Sequence, residues 1–297
     1  MIAALALACF ATQDASPDPK WSEAEVKQRI EKVFAPDERP KIEVTRSKNY
    51  IVFTDSSVGP KFAEILDDEV YAGFRKLFAY KPPAPPRAPG ATASDASEDK
   101  RLMAVYLFKT KEGYWSFCQR YVGWSEKKAR DSAGHAWQDY YATSYESPHD
   151  SVHFHEGAHQ IMSNRLRLGG GGSWFQEGVA EYYQDKIDKV NRAAETRASI
   201  RADGATPFRK LFASESLLFE GGTDKRGFAT SGGRYGQAAS VIQFLKEGPL
   251  KDRFDKFFGQ IGRAQRNDVP EIEKIVKSVY GLTIEELETR WKDFYAK

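Results

Sequence analysis

Alternating apolar and polar positions along the chain predict strands in the first half and helices in the second. The clearest helical pattern covers residues 61–78, where an apolar stripe recurs every three or four positions. From about residue 150 to the end the pattern is mainly helical. A strand-containing first half before a helix-rich remainder indicates the α+β class. The predicted strands are residues 42–45, 50–54, 102–108 and the aromatic stretch 137–145.

The breaks in this pattern predict how the chain is organised. Residues 81–100 are rich in Pro, Ala and Ser and have no periodicity, which is typical of a long surface loop or linker. We expect residues 1–20 to be a signal peptide and spacer, and residues 21–297 to form one domain. Within that domain, residues 21–148 form an α/β part and residues 149–297 form a helical part.

The first residues predict export from the cell. Residues 2–11 are apolar, alanine-rich and uncharged, a run that is too short to span a bilayer but resembles the core of a signal peptide. The basic segment that usually precedes such a core is absent, since the first Lys or Arg is Lys20. We therefore expect a secreted, periplasmic or cell-envelope protein, with a frayed hydrophobic N-terminus as the alternative.

The composition argues against nucleic-acid and membrane partners and against a metal site built from cysteines. A hydrophobic content of 41% and an aromatic content of 13% suit a globular protein. The formal net charge of +2 gives no large field of one sign, so neither nucleic acid nor a membrane surface is an expected partner. With Cys9 in the predicted leader, Cys118 is the only other thiol. Any metal must then be held by histidine and carboxylate side chains.

One short motif has the spacing of a metal site. Residues 155–159 read His-Glu-Gly-Ala-His. On a helix, positions four apart lie about 40° from each other around the axis, so the imidazoles of His155 and His159 can reach one ion. Zinc favours such neutral nitrogen ligands. Glu156, beside the first histidine, is then placed to take a proton from a metal-activated water.

The surrounding residues support a helix at this motif. Asp150 is the predicted N-cap, and both histidines share one stripe with Ala158, Met162 and Leu166. Gly157 costs the helix up to ~1 kcal/mol relative to Ala, and a glycine there would allow another backbone to approach closely. The alternative is a helix with capped or exposed histidines and no metal.

A third ligand follows on a second predicted helix. After glycines 169–172, Ser173 and Gln176 form a capping-box pattern, which predicts a helix start. Glu177 follows His159 after 17 intervening residues, enough for one helix to end and another to return antiparallel. It completes a His₂Glu set for zinc. Glu181, one turn further on, shares its face and is placed to accept a hydrogen bond from a ligand imidazole.

These segments together resemble a known family. The motif at 155–159, combined with Trp-Phe-Gln-Glu-Gly-Val-Ala-Glu-Tyr at 174–182, is similar to gluzincin zinc metallopeptidases, the family of thermolysin and aminopeptidase N. A looser similarity to secreted bacterial gluzincin-like domains covers residues 45–297. The resemblance implies a zincin-like fold, with a small mixed sheet packed on the active-site helix before a helical C-terminal subdomain. It also implies one zinc ion held by His155, His159 and Glu177, with Glu156 as general base and Glu181 as an outer acid.

Less specific candidates complete the predicted site. Tyr235 begins a predicted helix and is the candidate to stabilise the oxyanion, although its register with an apolar stripe also fits a core aromatic. Tyr182 and Tyr183 are rivals for that role. The stretch 137–145 is either an edge strand that holds an extended peptide or an ordinary strand of the core. The other histidines, expected to be capped or solvated and not to be ligands, are His135, His149 and His153.

These features predict a zinc-dependent metallo-endopeptidase that acts on peptide or protein substrates. The chain lacks the Gly-x-Met-Glu-Asn segment with which the family's aminopeptidases bind a free amino terminus, so aminopeptidase action is not favoured. One alternative is a catalytically inactive zinc-binding module that recognises cell-envelope or peptide ligands. Glu156 argues against it, because zinc binding alone does not need that carboxylate. Another alternative is hydrolysis of a non-peptide amide or of a cell-wall peptide.

Overall fold

The structure, a computed structural model, describes most of the chain beyond the predicted leader. The described residues are 23–32, 34, 39, 41–81, 102–137, 140–147, 150–217 and 231–296. The predicted signal peptide and spacer lie outside the described residues, as does nearly all of the predicted 81–100 loop. None of the helices in the described part of the chain is long and apolar enough to cross a bilayer.

Five strands form one mixed sheet. They are β1 (Glu43–Arg46), β2 (Tyr50–Thr54), β3 (Met103–Phe108), β4 (Gly134–Trp137) and β5 (Tyr140–Ser144). Their order across the sheet is β1-β2-β3-β5-β4. The three central strands run parallel, whereas β1 and β4 pair antiparallel at the two edges. The prediction of an α+β fold with a small mixed sheet is therefore confirmed.

The stretch predicted as a strand over 137–145 is divided between two strands. β4 ends at Trp137 and β5 starts at Tyr140, and the two pair with each other as neighbours. β5 lies between β3 and β4, so it is an interior strand, and the edge position belongs to β4. The aromatic composition gave the strand character of this region correctly, but it gave no sign of the reversal between the two strands.

The central strands are apolar on both faces because both faces of the sheet are covered. Along β2, Tyr50 and Val52 face one core, while Ile51 and Phe53 face the other. The first core also contains residues of the helices over 151–160 and 173–188, such as Phe154 and Trp174, and the second contains residues of the first helix, such as Val26. A strand buried on both sides reads as a continuous apolar run, as β2 and β3 do.

Helices make up most of the remaining described chain. Before the metal motif they are α1 (Glu23–Lys32), α2 (Gly59–Ile65), α3 (Ala72–Leu77), α4 (Lys111–Phe117) and α5 (Glu126–Arg130). From the motif onward they are α6 (Ser151–Gln160), α7 (Ser173–Asp188), α8 (Ala193–Arg201), α9 (Phe208–Ala213), α10 (Ser231–Glu247), α11 (Phe254–Ile261), α12 (Val269–Tyr280) and α13 (Ile284–Ala296).

A π-helical segment joins α2 to α3, so the predicted helix over 61–78 is one rod with a wider turn inside it. The segment is Leu66–Tyr71. The hydroxyl of Tyr183, from α7, donates to the carbonyls of Glu69 and Val70 at 3.0 and 2.7 Å. These bonds from a buried side chain stabilise carbonyl groups within the widened turn.

The site lies where three helices meet beneath the sheet. α6 packs against β4, β5 and α7, and α7 packs between α6 and α10. Gly178 allows α7 to pack closely against α10, since a Cβ there would lie 2.8 Å from the carbonyl oxygen of Ala238. This packing brings side chains from three separated segments to one place.

Candidate metal centre

Local signals position α6 as the sequence predicts. The Asp150 carboxylate caps the helix by accepting from the amide of Val152 at 3.1 Å. Ala158, Met162 and Leu166 are buried, so the stripe that contains the two histidines faces inward. Gly157 does have a close neighbour, but that neighbour is the Val70 side chain and not another backbone.

A Gly-rich turn positions α7, although by a different device from the one predicted. The N-cap is Gly172 at φ 90°, and Ser173 is already the first helical residue, so the predicted Ser173–Gln176 capping box is wrong. Gln176 instead donates to the carbonyls of Leu168 and Gly170 at 2.8 and 2.7 Å. These bonds tie the first turn of α7 to the turn that precedes it.

Three donor atoms from α6 and α7 converge on one point. The Nε2 atoms of His155 and His159 lie 3.3 Å apart, and each lies 3.2 Å from Oε2 of Glu177. Zinc ligands at about 2.0–2.2 Å in tetrahedral geometry are separated from one another by about 3.3–3.6 Å. The three residues are thus spaced like three corners of a tetrahedral zinc site, and one position remains for another ligand.

The charges of the three groups depend strongly on one another. Burial opposes protonation of His155, but the carboxylates of Glu177 and Glu181 outweigh it and raise the pKa of the imidazole well above its usual value. Burial also raises the pKa of Glu177, but His159 and His155 outweigh it and hold that pKa well below its usual range. The carboxylates therefore favour positive charge at this point, and an ion bound here would compete with protons for the histidine nitrogens.

Glu156 occupies a defined place between α6 and the sheet edge. Its Oε2 accepts a hydrogen bond of 2.7 Å from the backbone amide of Ala136, on the edge strand β4. The bond fixes the carboxylate against the edge strand, close enough to His155 to interact with it electrostatically. Such a carboxylate can accept a proton from a group bound beside it.

Tyr235 is the one of the three candidate tyrosines that reaches the site. Its ring centroid lies 6.3 Å from that of His155. Burial, followed by the nearby carboxylates of Glu177 and Glu156, raises the pKa of its hydroxyl far above the usual value, so the group stays protonated and able to donate. Tyr182 donates to Glu247 at 2.7 Å, and Tyr183 donates to the π-helical segment.

The other ring nitrogen of His155, Nδ1, faces two side chains from the second half of α7. Nδ1 of His155 lies 3.1 Å from Oε1 of Gln184 and 3.5 Å from Oε2 of Glu181. Glu181 thus lies close to the His155 imidazole, the side chain that its position on the helix was expected to face. Gln184 was not singled out from the sequence, although it follows Glu181 by three residues and so lies near it on the same side of α7.

Two of the remaining histidines are buried and bonded away from the three-ligand group. His153 pairs with the Tyr141 hydroxyl at 2.7 Å and with the Ser147 carbonyl at 3.0 Å. His135 lies 2.9 Å from the Tyr114 hydroxyl. Both are capped and neither is solvated, and neither belongs to the candidate ligand group. His149 lies outside the described residues.

Comparisons with known proteins give a distant likeness among solved structures and no match by sequence. No protein-family model matches the chain, and no curated protein matches it. Among solved structures, a mutant of the M1 zinc metallopeptidase from Deinococcus radiodurans is similar, with 10% sequence identity and a TM-score of 0.45. The similarity covers 85% of this chain and 52% of that one, so the chain spans about half the length of that protein.

Proposed function

We propose that the chain is a zinc-dependent hydrolase of peptide bonds, with His155, His159 and Glu177 as the ligands of one Zn²⁺ ion. The observation that carries the proposal is the spacing of the three ligand atoms, 3.2, 3.2 and 3.3 Å, in a group of only three partly buried side chains among the residues that the structure describes. Three protein ligands with a free position are the arrangement of catalytic zinc sites, whereas structural sites use four.

The other site residues transfer the proton of the attacking water and stabilise the oxygen of the substrate carbonyl. When bound, zinc would polarise the substrate carbonyl and lower the pKa of a water molecule. Glu156 accepts a proton as the water attacks the carbonyl carbon, and then passes that proton to the leaving amine. The Tyr235 hydroxyl donates a hydrogen bond to the carbonyl oxygen as negative charge develops there.

The position of β4 favours an extended peptide as the substrate. The strand is at the edge of the sheet, and its Ala136 amide already contacts Glu156. An extended peptide paired with this edge would place its backbone carbonyls next to the general base. The sequence lacks the Gly-x-Met-Glu-Asn segment that would bind the free amino terminus of a substrate, so we propose cleavage at internal peptide bonds.

A test separates the enzyme from a zinc-binding module without activity. The zinc-loaded protein is incubated with a library of peptides and cell-envelope fragments, and products are identified by mass spectrometry. We expect cleavage by the native protein and by Glu64→Gln, which changes an exposed carboxylate paired with Lys61. Glu156→Gln should abolish cleavage and keep one zinc per chain, because Glu156 is not a ligand.

The pattern of products decides between the alternatives. Cleavage of peptides by the native protein that Glu156→Gln abolishes supports the proposed peptidase. If products arise only from non-peptide amides or cell-wall fragments, the protein is a zinc-dependent hydrolase of that substrate class and not a general peptidase. Zinc binding with no cleavage of any substrate would contradict the proposal and would favour a ligand-recognition module.

A further inference from the structure

We propose that Gln184, rather than Glu181, is the positioning residue that holds the His155 imidazole in the orientation and tautomer needed to bind a metal through Nε2. The inference rests on the proposed metal site and deepens it. Binding through Nε2 leaves the proton of a neutral imidazole on Nδ1, so Nδ1 needs an acceptor. Two acceptors lie near it, and they differ in distance and in what else they bind.

Distance favours the amide. The Nδ1 atom of His155 lies 3.1 Å from Oε1 of Gln184, which is within the usual range of an N–H···O hydrogen bond. The Oε2 atom of Glu181 lies at 3.5 Å, beyond that range.

The Gln184 amide has a second partner on α6. Its Nε2 donates to the hydroxyl oxygen of Ser151 at 3.1 Å. Because the nitrogen faces Ser151, the oxygen faces His155, where it can accept the Nδ1 proton. Ser151 and His155 both belong to α6, so one side chain of α7 is fixed at two points of the metal-binding helix.

Glu181 has a competing partner. Its Oε1 accepts from Nη2 of Arg192, and the same guanidinium binds Asp185 through Nε and through Nη2, the latter at 2.8 Å. Arg192 therefore holds one oxygen of Glu181 toward the end of α7, and it shares its charge between Glu181, Asp185 and Glu195. The side chains of Glu181 and Arg192 are each 16% exposed, so solvent screens this pair only in part.

A neutral acceptor has a different effect on the metal from that of a carboxylate. A carboxylate on the outer nitrogen makes a ligand imidazole more basic, whereas an amide orients the ring without adding negative charge. Gln184→Glu should therefore bind zinc at least as tightly as the native protein. Gln184→Leu, which is similar in size and has no acceptor, should bind zinc roughly 10–100-fold more weakly.

The experiment measures the affinity of each full-length protein for Zn²⁺ alone, by competition with a chromogenic chelator. Glu181→Gln should change the affinity by less than about threefold, because it keeps an acceptor at the same place. Gln243→Leu is the matched control, since Gln243 is a partly buried glutamine of α10 with two side-chain partners, Glu247 and Tyr295. It should leave zinc affinity unchanged.

Thermal unfolding of the metal-free proteins separates positioning from stability. We expect Gln184→Leu and Gln243→Leu to shift the melting temperature by similar amounts, while only Gln184→Leu weakens zinc binding and Gln184→Glu restores it. The inference is overturned if Glu181→Gln weakens zinc binding more than Gln184→Leu does, or if Gln184→Glu binds more weakly than the native protein. Absence of zinc binding by the native protein would instead refute the metal site itself.

Discussion

Gly157 lies where α6 packs closely against the π-helical segment Leu66–Tyr71. It lies between the two histidines of the motif, where a Cβ would be 2.4 Å from Cγ1 of Val70. Val70 is fully buried, so it has little room to move. The absent side chain therefore sets the distance between α6 and the segment Leu66–Tyr71.

Gly157→Ala tests this contact. Overpacking a buried site costs about 1–3 kcal/mol, and the better helix propensity of alanine returns up to about 1 kcal/mol. We expect a net loss of about 1–2 kcal/mol of unfolding free energy, measured by urea denaturation of the metal-free protein. In a Val70→Ala background the clash is gone, and the same substitution should be neutral or stabilising. An equal loss in both backgrounds would contradict the packing explanation.

At the level of elements, the end of α7 determines where Arg192 lies. Lys189 adopts the left-handed conformation, with φ 56° and ψ 33°, and the amide of Val190 returns to the carbonyl of Asp185 at 2.9 Å. This turn reverses the chain, so that Arg192 reaches the carboxylates of Glu181 and Asp185. A lysine is an unfavourable residue for this backbone conformation, because its Cβ crowds the following carbonyl.

Lys189→Gly should stabilise the protein. Glycine removes the cost of the left-handed conformation, about 1–2 kcal/mol, and part of the gain is lost to the greater freedom of the unfolded chain. We expect a gain of about 0.5–1 kcal/mol by thermal or urea unfolding. The control is Asp188→Gly, one residue earlier in the regular helix, which should cost up to about 1 kcal/mol. If both glycines destabilise the protein equally, the strain at Lys189 is not relieved by glycine.

The sequence predicted those elements whose signals are local. The apolar stripe and the Asp150 cap suffice for α6, because each involves residues within a few turns of one another. The spacing from His159 to Glu177 was enough to predict that two helices meet, since an antiparallel return needs only a turn of suitable length.

Other features depend on contacts between distant segments, so the sequence could not give them. α7 starts directly after Gly172, which has a positive φ. A Cβ at Gly172 would clash with the Asn267 side chain, which comes from the connection between α11 and α12. The role proposed for Gln184 depends on Ser151, 33 residues away, and on the way α7 packs against α6. The sequence around a helical glutamine does not indicate whether its side chain bonds to another helix or is exposed to solvent.

At the scale of the whole molecule, the sheet separates the core that contains α6 and α7 from a second core, and His135 lies beside that second core. That second core includes Tyr114, Cys118 and the outer face of β3. His135 is 7% exposed, and its Nδ1 lies 2.9 Å from the Tyr114 hydroxyl. Burial, with a smaller contribution from the positive charge of Lys128, lowers the pKa of His135 to about 3.

This buried imidazole should make the fold sensitive to acid. As the pH falls below about 6.5, the unfolded chain takes up a proton at position 135, while the folded protein does not until about pH 3. The unfolded state then binds more protons, so stability from this group is fully present above pH 6.5 and declines toward pH 3. The slope from one such group approaches about 1.4 kcal/mol per pH unit.

His135→Gln isolates this contribution, because glutamine does not titrate and can still bond to the Tyr114 hydroxyl. Unfolding free energies are measured in urea between pH 7 and pH 4.5, with a chelator present so that metal release does not contribute. We expect the variant to lose about 2–3 kcal/mol less than the native protein over this range, whatever the substitution costs at pH 7. His153 is also buried, and burial lowers its pKa, so it leaves a residual slope in both proteins. Parallel pH profiles would mean that His135 is already protonated in the folded state or is accessible to solvent.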